Sequence, residues 1–88
     1  MSRPICCEGD ATTHGGKVIK ASGSFTIDDR RVVRVGDLVT CPIPGHAINP
    51  IIEGDGTMLD EGIPVVLHGH RSACGCAVIC TANATVAA

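Results

Sequence analysis

One six-residue phrase occurs three times in this chain, and no other feature limits its fold as much. The copies are Gly9-Asp10-Ala11-Thr12-Thr13-His14, Gly36-Asp37-Leu38-Val39-Thr40-Cys41 and Gly69-His70-Arg71-Ser72-Ala73-Cys74. Each sets a turn-forming glycine and a polar residue ahead of three spacers and then a His or Cys. A soft metal ligand therefore recurs at one offset from a turn. Such a chain uses one folding unit three times and carries its ligands toward a common point.

The likeness extends on both sides of the phrase. Ile5-Cys6-Cys7-Glu8, Val32-Val33-Arg34-Val35 and Val65-Val66-Leu67-His68 precede the three glycines. Val18-Ile19, Ile51-Ile52 and Val78-Ile79 follow, and Gly23, Gly56 and Asn83 come after those at one common step. The second copy carries about six additional residues near 42–47, and His46 is among them. The repeats run approximately over 5–31, 32–64 and 65–88 of a single domain.

Composition narrows the class to all-β. A chain of 88 residues buries a modest core and commonly needs a metal, disulfides or a partner as a staple. With one Phe and no Trp or Tyr, its apolar content is mostly Val, Ile and Ala, which suits narrow layers of strands. Eleven glycines and five prolines interrupt any helical period, so short strands and tight turns are expected. The pattern predicts strands over 17–21, 24–27, 31–35, 47–52, 57–59, 63–67, 77–80 and 85–87. Turns are expected at Ser22-Gly23, Asp28-Asp29, 54–56, 60–62 and near Asn83. The third copy lacks a late strand; an N-terminal strand at Ile5–Cys7 would supply it and close a ring of three units, hiding sheet edges.

Charge and targeting exclude several functions. A net charge of −2 offers no basic field for nucleic acid, and no aromatic platform is available for stacking bases. Arg30-Arg31 beside Asp28-Asp29 reads as a charged hairpin tip. No 18-residue apolar span is present for a membrane helix. The first residues lack the apolar run of a signal peptide, so synthesis and folding in the cytoplasm are expected. In that compartment Cys6, Cys7, Cys76 and Cys80 read as small buried hydrophobes rather than disulfide partners.

Five side chains compete for the four places of a closed tetrahedral zinc site: His14, Cys41, His46, His70 and Cys74. His14, Cys41 and Cys74 hold the equivalent sixth position, His70 stands where the other copies have Asp10 and Asp37, and His46 rides in the additional segment. His68 aligns with Glu8 and Val35 and reads as an ordinary polar residue.

The segments at 9–16 (GDATTHGG), 35–42 (VGDLVTCP) and 69–76 (GHRSACGC) resemble those of a PAAR-repeat protein, and the resemblance covers nearly the whole chain. It implies a small pseudo-threefold cone of short strands and hairpins, with zinc at its sharp tip. It also implies a blunt base seated on a trimeric β-helical VgrG spike of the type VI secretion system, one tip per trimer. Three His and one Cys hold the zinc in that family; on matching positions the set is His14, His46, His70 and Cys74, with Cys41 standing aside. A closed site leaves no position for a catalytic water, so a structural, non-enzymatic tip is expected. The alternative is a zinc-dependent or Cys/His hydrolytic enzyme using His14 and Cys74 as base and nucleophile, for which the repeats place no orienting Asp or Asn. The resemblance further implies export by the type VI apparatus and contact with a target membrane only by mechanical puncture. The shortness of the chain reads as a stand-alone tip whose effectors are carried non-covalently.

Overall fold

In the computed structural model, which describes residues 2–43, 45, 47–80 and 85–87, equivalent residues of the three copies bond in a circle. The Val33 N–H donates to the Cys6 carbonyl, Val66 to Val33 and Cys6 to Val66, each at 3.0 Å. One chain thereby produces threefold order about an axis. The next turn outward repeats it: Glu8 N–H donates to Arg31 (2.9 Å), Val35 to Pro64 (3.0 Å) and His68 to Pro4 (2.9 Å). Antiparallel bridges Cys7–Val32, Arg34–Val65 and Ile5–Leu67 complete the same pattern.

Short strands hang from this circle in two-stranded ladders, and the described residues contain no helix. β1 (Ser2–Pro4) pairs with β10 (Thr85–Ala87), and β2 (Ala11–Thr12) with β9 (Val78–Ile79). β3 (Thr26–Ile27) pairs with β4 (Arg30–Arg31), β5 (Leu38–Cys41) with β6 (Ala47–Pro50), and β7 (Asp55–Asp60) with β8 (Ile63–Val65). All five pairs are antiparallel. The body is 34 Å along one axis and 25 and 23 Å across, near-equal widths that agree with threefold order.

The ring does close through the N-terminus, as expected: Ile5–Cys7 meets the third copy through the Ile5–Leu67 bridge and the Cys6 N–H to Val66 O bond, and Ser2–Pro4 adds a ladder with β10. Residues 5–7 are consumed by the central circle and its bridges. Strands over 17–21 and 31–35 shrink to single bridges for a related reason. Their backbone groups bond to other copies one residue at a time, as when Lys17 O accepts from Thr40 N–H and Ile19 N–H donates to Leu38 O. The turn expected at 54–56 lies partly inside β7 instead, and β5 was not anticipated. The turn expected near Asn83 falls outside the described residues.

Two apolar clusters fill the axis. One gathers Cys6, Val33 and Val66 with Val18, Ile51, Val78, Val39, Cys76 and Cys80; the other holds Ile5, Val32, Val65 and Leu67. Equivalent positions thus stack as triplets of β-branched or small side chains, a core without aromatics. The disulfide Cys6–Cys80 joins the two ends of the fold, with Cα atoms 4.8 Å apart. Cys6 and Cys80 are buried as expected, but they are bonded to one another, because ring closure brings together residues 74 apart in sequence.

The thrice-repeated phrase begins with a type II-like turn. Gly9, Gly36 and Gly69 have φ of 89°, 95° and 89°, where a Cβ would be strained. The following residue closes each turn: Asp10 N–H to Cys7 (3.1 Å), Asp37 to Arg34 (3.0 Å) and His70 to Leu67 (3.1 Å). The Asp28-Asp29 hairpin tip is present between β3 and β4, and Arg30 reaches from it to Asp10 at 2.8 Å.

Candidate metal centre

Each copy delivers one soft donor to a common point, at the sixth position of its phrase. His14, Cys41 and Cys74 have ligand atoms all within 4.8 Å of one another. His14 follows β2 in a tight turn, where Gly15 N–H donates to Thr12 O at 3.1 Å and Gly16 N–H to Thr12 Oγ1 at 3.1 Å. Cys74 occupies the equivalent turn of the third copy, with Gly75 N–H donating to Ser72 O at 3.0 Å. The second copy departs from this: its additional residues extend the chain into β5 and β6, and Cys41 ends β5 opposite Ala47. The Cys74 N–H donates to Asn49 Oδ1 of β6 at 3.1 Å, tying the third copy to that hairpin.

The separation of His14 Nδ1 from Cys41 Sγ is 3.4 Å. Two ligands of one tetrahedral zinc, with Zn–N near 2.0 and Zn–S near 2.3 Å, lie roughly 3.6 Å apart. An imidazole and two sulfurs within 4.8 Å of one another make a donor set suited to a borderline-soft divalent ion. Burial pushes the Cys41 thiol up, and neighbouring Cys74 adds to the shift while a hydrogen bond at Ile43 opposes it. An entering ion must therefore displace a firmly held proton, which couples binding to pH.

The structure brings His14 and Cys74 together and adds Cys41, which the family pattern had set aside. His70 does not join them. Its Nδ1 accepts the Leu67 N–H at 2.9 Å, as the carboxylates of Asp10 and Asp37 accept Cys7 N–H (2.8 Å) and Arg34 N–H (2.7 Å). The histidine replaces an aspartate inside a turn, next to Arg3, Asp55 and Leu67. His46 lies outside the described residues; it precedes Ala47, the partner of Cys41 across the β5–β6 ladder. Sequence reasoning also missed what surrounds Cys74. Ser72 Oγ lies 3.2 Å from Cys74 Sγ and 2.9 Å from Cys76 Sγ, and the two sulfurs are 3.4 Å apart. The only hint was that Ser72 shares its repeat position with Thr12 and Val39, and all three are buried.

A β body of three interlocked copies, each giving one Cys or His to a shared point, defines a small repeat protein with a metal-type centre. The PAAR-motif family model matches residues 8–80, and the chain belongs to that family. No curated protein matches the chain. The family is one of structural spike-tip proteins and sets this chain in the context of type VI secretion.

Proposed function

We propose that this protein caps and sharpens a trimeric β-helical spike of the VgrG kind, one tip per trimer, and does no chemistry of its own. The circle of bonds among Cys6, Val33 and Val66 carries this reading, because it gives a single chain the symmetry of a threefold partner. A trimer offers three identical surfaces, and only a ligand with three near-identical faces can satisfy all of them.

Zinc is the ion this donor set suits, held by His14, Cys41 and Cys74, and His46, which the sequence alone nominates, is our candidate for the fourth place. The ion ties the three copies together at one point. With His14 and Cys74 committed to it, that pair is not available as base and nucleophile for hydrolysis. The tip is made in the bacterial cytoplasm and leaves through the type VI apparatus.

Co-expression with the cognate spike tests the assembly. The expected product is a complex of three spike chains and one tip, measured by native mass spectrometry. A zinc-loaded tip that stays apart from the spike trimer would overturn the assignment. Metal analysis of the isolated protein should find about one zinc per chain, as a single closed site requires.

A further inference from the structure

We propose that Cys6 and Cys80 form a reversible thiol–disulfide clasp on the one seam of the threefold body that the polypeptide leaves open. The first and second copies are continuous through Arg31-Val32, and the second and third through Pro64-Val65. Between the third and the first there is no peptide link. That seam is carried by the three-residue β1–β10 ladder, the two-residue β2–β9 ladder and single bonds such as Cys6 N–H to Val66 O. The disulfide spans it.

A facing cysteine pair at these positions is confined to that seam. By the repeat, the counterparts of the Cys6–Cys80 pair at the two continuous seams are Val33 with Lys20 and Val66 with Glu53. Lys20 and Glu53 are exposed side chains, and neither seam carries a sulfur at these places. The covalent bond occurs only where the chain itself supplies none.

Both redox states fit the surroundings. The Cys80 N–H donates to His68 Nδ1 at 3.0 Å, and Cys6 is held by two backbone bonds of the central circle. None of these needs the S–S bond, so the two residues remain in register when it is broken. As thiols they stay in the apolar cluster as small hydrophobes.

A small-molecule disulfide is the oxidant. Cys80, 5% exposed against 0% for Cys6, is the sulfur within reach. Its thiolate attacks the disulfide, forms a mixed disulfide and releases one small thiol. The Cys6 thiolate then attacks Cys80 Sγ and releases the second. The two protons of the cysteines leave on those thiols, and the reaction reverses in excess small thiol. The clasp does not rest on the spike-tip reading: it needs only the ring.

The test equilibrates the zinc-loaded full chain with defined ratios of oxidised and reduced glutathione, then quenches, alkylates and maps the peptides. Cys6 and Cys80 should pass together between alkylated and mutually bonded forms while Cys7, Cys41, Cys74 and Cys76 stay alkylated. The oxidised form should melt higher by roughly 10 °C or more, given the long loop closed. The C6V/C80V variant, in which C6V copies Val33 and Val66 and C80V keeps an apolar side chain in the cluster, should melt at one temperature regardless of the ratio. The clasp is overturned if the pair stays alkylated at every ratio or never reduces while the protein is folded. Pairing of either cysteine elsewhere, equal melting of the two wild-type forms, or a redox-dependent melt in the variant would overturn it equally. If the variant does not fold, the wild-type mapping and melts decide alone.

Discussion

His70 performs a task that its two counterparts give to aspartate, and the exchange changes how the turn answers to acid. Asp10 and Asp37 accept a backbone N–H as carboxylates, whereas His70 accepts Leu67 N–H through a neutral ring nitrogen. Burial lowers the His70 pKa from its ordinary 6.5, and Arg3 lowers it further, against opposing pulls from Glu53 and Asp55. The folded state thus favours the neutral ring. Its contribution is whole above the unfolded value of 6.5 and fades as pH falls from there through the lowered folded value. His70→Asp should flatten the loss of stability between pH 7.5 and pH 5.5, read from urea midpoints of variant and wild type; parallel pH profiles would refute the latch. Protonation of metal ligands affects both proteins alike and cancels in that comparison. The same residue separates two ligand sets. His14→Ala and Cys41→Ala should each abolish stoichiometric zinc, while His70→Ala should keep it, as measured by metal analysis of the folded proteins. Loss of zinc in His70→Ala with retention in Cys41→Ala would restore the family's three-histidine pattern.

At the scale of the element, what holds is turns and single bonds rather than ladders. Asp37 shows the density of this bonding: its Oδ2 accepts both Arg34 N–H (2.7 Å) and Ser22 N–H (2.9 Å). Asp37→Ala leaves two donors without partners in a mostly buried setting and should cost about 2–4 kcal/mol in urea unfolding. A near-zero change would mean that water replaces the carboxylate. At Gly16 two copies approach closely, since a Cβ there would meet Thr40 O at 1.8 Å. Gly16→Ala should destabilise by at least about 3 kcal/mol, because backbone rather than a mobile side chain must give way. The hairpins at Asp28-Asp29 and 60–62 were legible in the sequence, since local turn chemistry sets them. The strands over 17–21 and 31–35 were not. Val18, Val32 and Val33 do bury, but partners such as Val39, Cys7 and Val65 come from other copies one residue at a time, and alternation along a chain cannot reveal that.

At the scale of the whole molecule, three devices close one ring: the circle of backbone bonds, the β1–β10 ladder with its disulfide, and the Cys/His point. The last of these should dominate, because a structural zinc contributes about 10–16 kcal/mol in small domains. Net stability is only about 5–15 kcal/mol in total. Chelation under reducing conditions should therefore abolish the cooperative thermal transition, followed by circular dichroism. A melt unchanged by chelation would remove the metal from the account.

The sequence by itself determined the class, the threefold plan and the donor position. A glycine that needs positive φ, a polar turn closer and a His or Cys at the sixth position are local requirements that recur at fixed offsets. It left five ligands competing for four places and read Cys6 and Cys80 as independent buried thiols. Only the tertiary structure decided that Cys41 stands with His14 and Cys74, that His70 is spent on a turn, and that Cys6 meets Cys80. The physical reason is the same in each case. Which side chains converge depends on how three copies interlock about the axis, and that closure is set by bonds between residues far apart in the chain.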